Sequence, residues 1–90
     1  MLNIKLSKKS KKFIEGIQPK HARQIKAKLL ELMENPYPAD VKKLIDYPFF
    51  RVDSGEYRII YSVEKEILLI FLIGKRNDSE VYKQLKRIVR

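Results

Sequence analysis

The stretch FRVDSGEYRIIYSV, residues 50–63, decides the fold, because apolar and polar residues alternate along it on both sides of a Ser-Gly pair. Strands near 49–53 and 56–63 would pair through a tight turn at that dipeptide. A third strand is expected near 66–73, where a mostly apolar run follows another short turn. The three strands are therefore predicted to form an antiparallel meander.

The residues before the hairpin predict one strand and two helices. Alternation over 2–6 is typical of a strand, and Ser7 can cap a helix over roughly 8–17. Apolar residues at three- and four-residue spacing predict a second helix over about 19–34. The segment VKKLIDYP, residues 41–48, is interpreted as a connector with room for one helical turn.

A last helix is expected to follow the meander, capped by Asp78 or Ser79. Its predicted inward-facing residues are Val81, Leu85, Ile88 and Val89. The order βααβββα indicates one small α+β domain over residues 1–90, with two N-terminal helices packed on one face of an antiparallel sheet and a C-terminal helix. The first strand should join that sheet, although its partner strand is left open.

Composition favours a polyanionic partner. The 90 residues carry 20 Lys and Arg against 11 Asp and Glu, a net charge of +9. Nucleic acid is the expected partner, and a basic surface without a partner is the alternative. The chain has no cysteine and one histidine, so we expect no disulfide and no metal site built from thiolates or histidines. No cofactor is expected either. The apolar run 67–73 is too short to span a bilayer, so we expect a cytoplasmic protein without a membrane role.

Two arginines lie on one face of the predicted hairpin. A turn centred on the Ser-Gly pair places Arg51 directly opposite Arg58, and like charges in that position destabilise a sheet. A bound anion would offset the repulsion, and the planar guanidinium grips phosphate with two hydrogen bonds. An acid such as Asp53 or Glu56 is the alternative partner. The opposite face is predicted to be core and carries Phe50, Val52, Tyr57, Ile59, Tyr61 and Val63.

Two residues after the meander should join these arginines. The end of the third strand lies beside the beginning of the second, which places Arg76 near Arg58. Tyr82, six residues later, can reach the same concavity from the last helix, or can simply pack at the edge of that helix. His21 lies on the second helix, away from this concavity, and is not expected to act as a base.

The sequence GEYRIIY followed by IGKRNDSEVY, together with the element order, length and charge, resembles the RelE/ParE superfamily of toxins from bacterial toxin-antitoxin pairs, in its RelE-like branch. The resemblance implies an endoribonuclease that cuts messenger RNA in the ribosomal A site. In this chemistry the 2′-hydroxyl attacks the adjacent phosphate, and no metal is needed where cations neutralise the developing charge. The resemblance also implies that an antitoxin encoded beside the toxin holds it inactive.

The roles implied by the resemblance fall on four residues. Arg58 matches the arginine that stabilises the scissile phosphate, and Arg76 matches the one that aids the leaving group. Tyr82 matches the tyrosine that positions or deprotonates the attacking hydroxyl or stacks on a base. Arg51 matches a basic position on the preceding strand.

One departure from the RelE pattern is visible. Two basic residues would alternate on the strand before the turn, whereas Arg51 here has Phe49 before it and Asp53 after it. The residues that can replace the missing base in binding RNA phosphate are Lys42, Lys43 and Lys75. The missing base leaves open an inactive homologue that only binds antitoxin. A ParE-like inhibitor of DNA gyrase is a second alternative, although that function has no need of the pair Arg76 and Tyr82.

Overall fold

Five strands and three helices make up the part of the chain that the structure, a computed structural model, describes: residues 1–77 and 80–88. In chain order they are β1 (Asn3–Leu6), α1 (Lys8–Gly16), α2 (Pro19–Glu34), β2 (Lys42–Lys43), β3 (Phe50–Ser54), β4 (Tyr57–Glu64), β5 (Ile67–Lys75) and α3 (Glu80–Ile88). The predicted order βααβββα is confirmed, with one short strand added. In residues 1–77 and 80–88 we find no helix with the length and apolar character that crossing a membrane requires.

The strands form one mixed sheet in the order β1-β5-β4-β3-β2. The meander of β3, β4 and β5 is antiparallel, as predicted. The first strand does join the sheet, and it does so parallel to β5. Parallel neighbours need a long crossover connection, which α1 and α2 together with the meander supply.

The connector 41–48 contains a strand in place of the helical turn, so that expectation is wrong. Lys42 and Lys43 pair with β3, and the Leu44 N–H donates to the Phe49 carbonyl at 2.9 Å. The backbone groups of the β3 edge thereby find partners that a helical turn would have left unpaired. This connection brings β2 to the edge of the hairpin.

The predicted cap of α1 is confirmed and also fixes the helix to the sheet. The Ser7 hydroxyl accepts a hydrogen bond from Ser10 N at 3.1 Å. The pairing of β4 with β5 shifts between Ile60 and Tyr61, which leaves Phe71 as an extra residue. Its carbonyl accepts from the Ser7 hydroxyl at 2.7 Å. The side chain that starts the helix therefore also satisfies the irregular point of the sheet.

The two N-terminal helices cover one face of the sheet, as expected. Ile14 of α1 and Ile25, Leu29 and Leu32 of α2 are buried there against the hairpin side chains predicted to form the core. Val52, Tyr57, Ile59 and Tyr61 are buried in this cluster, with Phe50 and Val63 packed against it. The alternation of residues 50–63 thus assigned the core face correctly.

The last helix covers the opposite face. Val81 and Leu85 are buried there against Ile60 and Leu72. Ile88 was expected to point inward but is 45% exposed, because the apolar stripe of α3 runs one turn beyond this small cluster. The predicted caps Asp78 and Ser79 and the inward residue Val89 lie outside the described residues.

Candidate active site

The hairpin register decides which charges face one another. Strand β3 ends at Ser54 and β4 begins at Tyr57, so the turn is Gly55-Glu56 and not Ser54-Gly55. Gly55 has a φ of +60°, which a hairpin turn of this length requires and which glycine adopts without strain. The turn therefore lies one residue later than predicted, which changes every pairing by two residues and leaves each side chain on its predicted face.

The expected pairing of Arg51 with Arg58 is wrong as a result. Arg58 lies opposite Asp53, while Arg51 lies between Ile60 on one side and Lys42 of β2 on the other. Arg58 Nε donates to Asp53 Oδ1 at 2.8 Å, and Nη2 donates to Oδ2 at 3.4 Å. The alternative partner expected from the sequence, an acid beside the arginines, is thus confirmed for Asp53.

Tyr82 connects the two arginines of the hairpin. Its hydroxyl accepts a hydrogen bond from Arg58 Nη1 at 2.8 Å and another from Arg51 Nη1 at 3.3 Å. The helix that carries it approaches the sheet closely at Gly74, where an added Cβ would lie 3.2 Å from that of Val81. The predicted reach of Tyr82 into the concavity is confirmed, and its ring also packs at the edge of the α3 cluster.

Arg76 lies on the same side of the sheet. Its backbone N–H donates to the Glu56 carbonyl at 3.0 Å, which ties the end of β5 to the hairpin turn. Its Nη1 is 4.0 Å from Asp53 Oδ2, with half of the side chain exposed. Arg51, Arg58 and Arg76 therefore converge around one carboxylate, as the predicted topology required.

An open cleft of about 470 Å³ lies in front of these groups. It is lined by Lys43, Leu44, Ile45, Asp46, Tyr47, Arg51, Arg58 and Tyr82. Sequence reasoning missed the wall formed by residues 44–47, because this irregular segment shows no periodicity. The available signal was the apolar pair Leu44-Ile45 between charged residues of the connector, and Ile45 is 98% exposed at the cleft.

A cleft lined by two arginines, a lysine and two tyrosines is suited to a phosphate with a base beside it. Residues 4–80 match the model of the ParE toxin family of type II toxin-antitoxin systems. The chain belongs to this family. Among its relatives is the mRNA interferase toxin RelE of Escherichia coli strain K12, 38% identical over an alignment 72 residues long that covers 73% of this chain and 75% of the relative.

Solved structures of RelE toxins confirm the fold. The isolated E. coli RelE toxin superposes with a TM-score of 0.75 at 24% identity, covering 99% of this chain and 100% of that one. The toxin of the archaeal RelE-RelB complex from Pyrococcus horikoshii gives a TM-score of 0.73 at 26% identity, covering 83% and 94% of the two chains. The α+β architecture is therefore the one shared by RelE toxins.

The three lysines considered for this ParE-family site differ in position. Lys43 lines the cleft, and Lys42 lines a smaller neighbouring cleft with Arg51, Asp53 and Arg58. Lys75 lies opposite Tyr57, whose side chain belongs to the core beneath α1 and α2. Because neighbouring strand residues point to opposite faces, Lys75 emerges away from the arginines, and the structure does not bring it to the site.

Phe49, which replaces a basic residue of the RelE pattern, and His21, which was not expected at the site, each have an aromatic partner. Phe49 stacks on Phe71, with ring centroids 4.6 Å apart and planes inclined by 16°. An aromatic pair therefore occupies the sheet face where a basic residue would stand. His21 Nδ1 lies 2.7 Å from the Tyr57 hydroxyl on the other face of the sheet, which confirms that it is remote from the cleft.

The charges of the site reinforce one another. The hydrogen bond from Arg58 lowers the pKa of Asp53 below its usual range against the opposing effect of burial, and the positive charges of Arg58, Arg76 and Arg51 lower it further. The same hydrogen bond raises the pKa of Arg58. Both groups therefore stay ionised at neutral pH.

This lowered pKa predicts an acid-dependent loss of stability. A carboxylate whose pKa is lower in the folded state contributes stability above its unfolded pKa of about 4, and the contribution is lost as the pH falls through the folded value. We expect the free energy of unfolding of the parent, measured by urea titration, to fall more steeply below pH of about 4 than that of Asp53→Asn. The exposed Glu66, replaced by Gln, is the control and should keep the parental slope. Equal slopes for the parent and Asp53→Asn would contradict the assignment.

Proposed function

We propose that the chain is the toxin of a type II toxin-antitoxin pair and a ribosome-dependent endoribonuclease that cuts messenger RNA. The observation that carries the proposal is the hydrogen bonding of Arg51 and Arg58 to the Tyr82 hydroxyl at one cleft, with Arg76 beside them. The similarity to the mRNA interferase toxin RelE supports the same activity. Residues 1–90 would then act as one toxin domain, in the cytoplasm, where ribosomes are found.

Arg58 is the group best placed to hold the scissile phosphate. Its side chain is only 16% exposed, so its charge acts in a less hydrated setting than at an open surface. Attack of the 2′-hydroxyl oxygen on phosphorus forms a cyclic phosphate, releases the hydroxyl proton to solvent and breaks the bond to the 5′-oxygen, which takes up a proton and leaves as a hydroxyl. Negative charge accumulates on the phosphate oxygens during this step, and Arg58 and Arg51 would stabilise it.

Arg76 and Tyr82 would act beside that phosphate. Arg76 is half exposed beside Asp53, from where it would neutralise the departing 5′-oxygen. Tyr82 already accepts from two guanidinium groups, so both lone pairs of the neutral phenol are in use and its own hydrogen remains to be donated. This arrangement supports a Tyr82 that positions the substrate more than one that removes a proton.

These residues include no good general base, and the ribosome would compensate by positioning the reacting groups of the RNA. Tyrosine and arginine are poor general bases at neutral pH, since their ordinary pKa values are about 10 and above about 12. Holding the 2′-hydroxyl in line with the phosphate can contribute several orders of magnitude by itself, and a ribosome-bound codon provides such a geometry. Lys42 and Lys43, beside the cleft, would bind flanking phosphates.

We further propose a cognate antitoxin as the partner. The RelE of P. horikoshii was solved in complex with RelB. With a net charge of +9, this chain suits an antitoxin that lays an acidic segment over the basic surface.

Primer extension on a messenger RNA incubated with the purified protein, with and without translating ribosomes, tests the activity. We expect cuts that require ribosomes and that weaken by about 100-fold in Arg76→Ala, because one stabilising cation is lost. Cuts of equal strength in the variant would remove Arg76 from the site. A parent that makes no cuts would contradict the proposed activity.

A second candidate function is inhibition of DNA gyrase, as in ParE-like toxins. The Phe49-Phe71 stack favours it, because it replaces a basic residue that the ribonuclease pattern contains. Gyrase supercoiling assays with the purified protein separate the two functions. Growth arrest without cuts but with inhibited supercoiling would identify the gyrase inhibitor, and neither cuts nor arrest would identify an inactive homologue.

A further inference from the structure

Asp53 binds the side of the Arg58 guanidinium that is formed by Nε and Nη2. The Asp53 carboxylate does not cover the end of the guanidinium, between Nη1 and Nη2. The carboxylate accepts from Nε at 2.8 Å and from Nη2 at 3.4 Å, while the Tyr82 hydroxyl accepts from Nη1 at 2.8 Å. These contacts use one hydrogen on each terminal nitrogen, and each of these nitrogens carries a second hydrogen. Parallel hydrogen bonds from the two terminal nitrogens are how a guanidinium grips a phosphate.

We propose that Asp53 is a positioning residue, which fixes the Arg58 guanidinium so that its terminal edge meets the scissile phosphate. This inference rests on the proposed function. Asp53 and Arg58 are direct neighbours on β3 and β4, so the sheet itself sets the distance between their backbones. Tyr82, the other partner of Arg58, comes from a separate element, α3. Asp53 is therefore the partner that the rigid part of the fold provides.

A carboxylate at this place opposes RNA binding, which argues that it serves orientation. Arg51, Arg58 and Arg76 all lower its pKa, so its negative charge offsets part of the positive field that a phosphate would meet. A neutral residue would leave that field stronger. An unanchored arginine, however, samples many rotamers, and misplacement of a catalytic group by about 1 Å can reduce a rate by about 100-fold.

Asp53 would affect RNA binding through its charge and the cleavage rate through the orientation of Arg58. A single-turnover cleavage assay on mRNA-programmed ribosomes, run over a range of toxin concentrations, separates these two effects. For Asp53→Ala we expect the rate at saturation to fall by about 10-fold or more, while the half-saturating concentration does not rise. Asp53→Asn keeps an oxygen that can accept from Arg58 Nε and should retain most of the saturating rate. Glu66→Ala is the matched control, because it changes the net charge equally at the exposed β4–β5 turn and should keep the parental rate.

One further variant and one further measurement keep the test decisive. If Asp53→Ala does not fold at the assay temperature, Asp53→Thr replaces it, since threonine suits a strand and is too short to bridge both nitrogens. The NMR signal of the Arg58 Nε–H reports the anchoring without any cleavage. We expect this hydrogen to exchange slowly in the parent and rapidly in the Ala or Thr variant.

The outcomes are distinct. A parental or higher saturating rate in Asp53→Ala or Asp53→Thr would overturn the proposal and make Asp53 only a counter-ion. A loss in Asp53→Asn as large as that in the Ala variant would also overturn it, because charge and not orientation would then matter. A parent that makes no cuts would overturn the proposed function, and unchanged exchange of the Arg58 Nε–H would overturn the anchoring separately.

Discussion

Arg58→Ala will lose about 10²–10³-fold of ribosome-dependent cleavage while the protein remains folded. Arg58 is the arginine that contacts both Asp53 and Tyr82, and its side chain is 16% exposed, against 37% for Asp53 and 49% for Arg76. Its removal takes from the cleft the guanidinium that contacts both Asp53 and Tyr82. The core beneath α1 and α2 lies on the other face of the sheet and is not affected. Single-turnover primer extension at saturating toxin measures the loss.

Two controls define the meaning of that loss. Arg58→Lys keeps the charge but lacks the planar fork, so it should recover only a small part of the rate. Arg23→Ala removes the same charge from an exposed position on α2 and should cleave like the parent. Parental cleavage by Arg58→Ala would show that the phosphate binds elsewhere, and equal losses in both alanine variants would show that only net charge matters.

Leu29→Ala will reduce the free energy of unfolding by about 2–5 kcal/mol. Leu29 is 5% exposed and lies in the core between α2 and the sheet, where its removal leaves a cavity. Folded domains are stable by only about 5–15 kcal/mol, so the change is a large share of the total. Urea unfolding followed by circular dichroism at neutral pH measures it.

The neighbouring residue on the same helix gives the matched control. Leu30 is 58% exposed, so Leu30→Ala makes the same chemical change without opening a cavity. We expect its effect to stay within about 0.5 kcal/mol. If the two variants unfolded at the same urea concentration, the burial of the Leu29 face of α2 would be wrong.

The sequence predicted those parts of the fold that have a period. The spacing of apolar residues located α1 and α2, and the alternation within residues 50–63 assigned the core face of the hairpin. Strand β2 was missed because two residues are too few to show any period. The parallel pairing of β1 with β5 depends on contacts between distant segments, which no local pattern records.

The residues that form the candidate site were predicted more accurately than the pairs that these residues make. Arg51, Arg58 and Tyr82 meet as expected, because the turn error moved the register by an even number of residues and kept every face. The same parity explains the failure for Lys75, whose neighbour Gly74 occupies the arginine face beside Arg58. The opposition of Arg58 and Asp53 depended on the exact turn, which a single glycine position decided.

The docking of α3 has a thermodynamic consequence for the site. Tyr82 is carried by α3, of which the structure describes nine residues, and helices shorter than about 12–15 residues are only marginally stable alone in water. Its order therefore depends on the burial of Val81 and Leu85 against Ile60 and Leu72. The fraction of molecules with a complete site is then an equilibrium population, set by the local opening free energy of one helix and separate from the global stability of the sheet. Amide exchange in α3 should accordingly be faster than in β4 and should follow the same temperature dependence as activity.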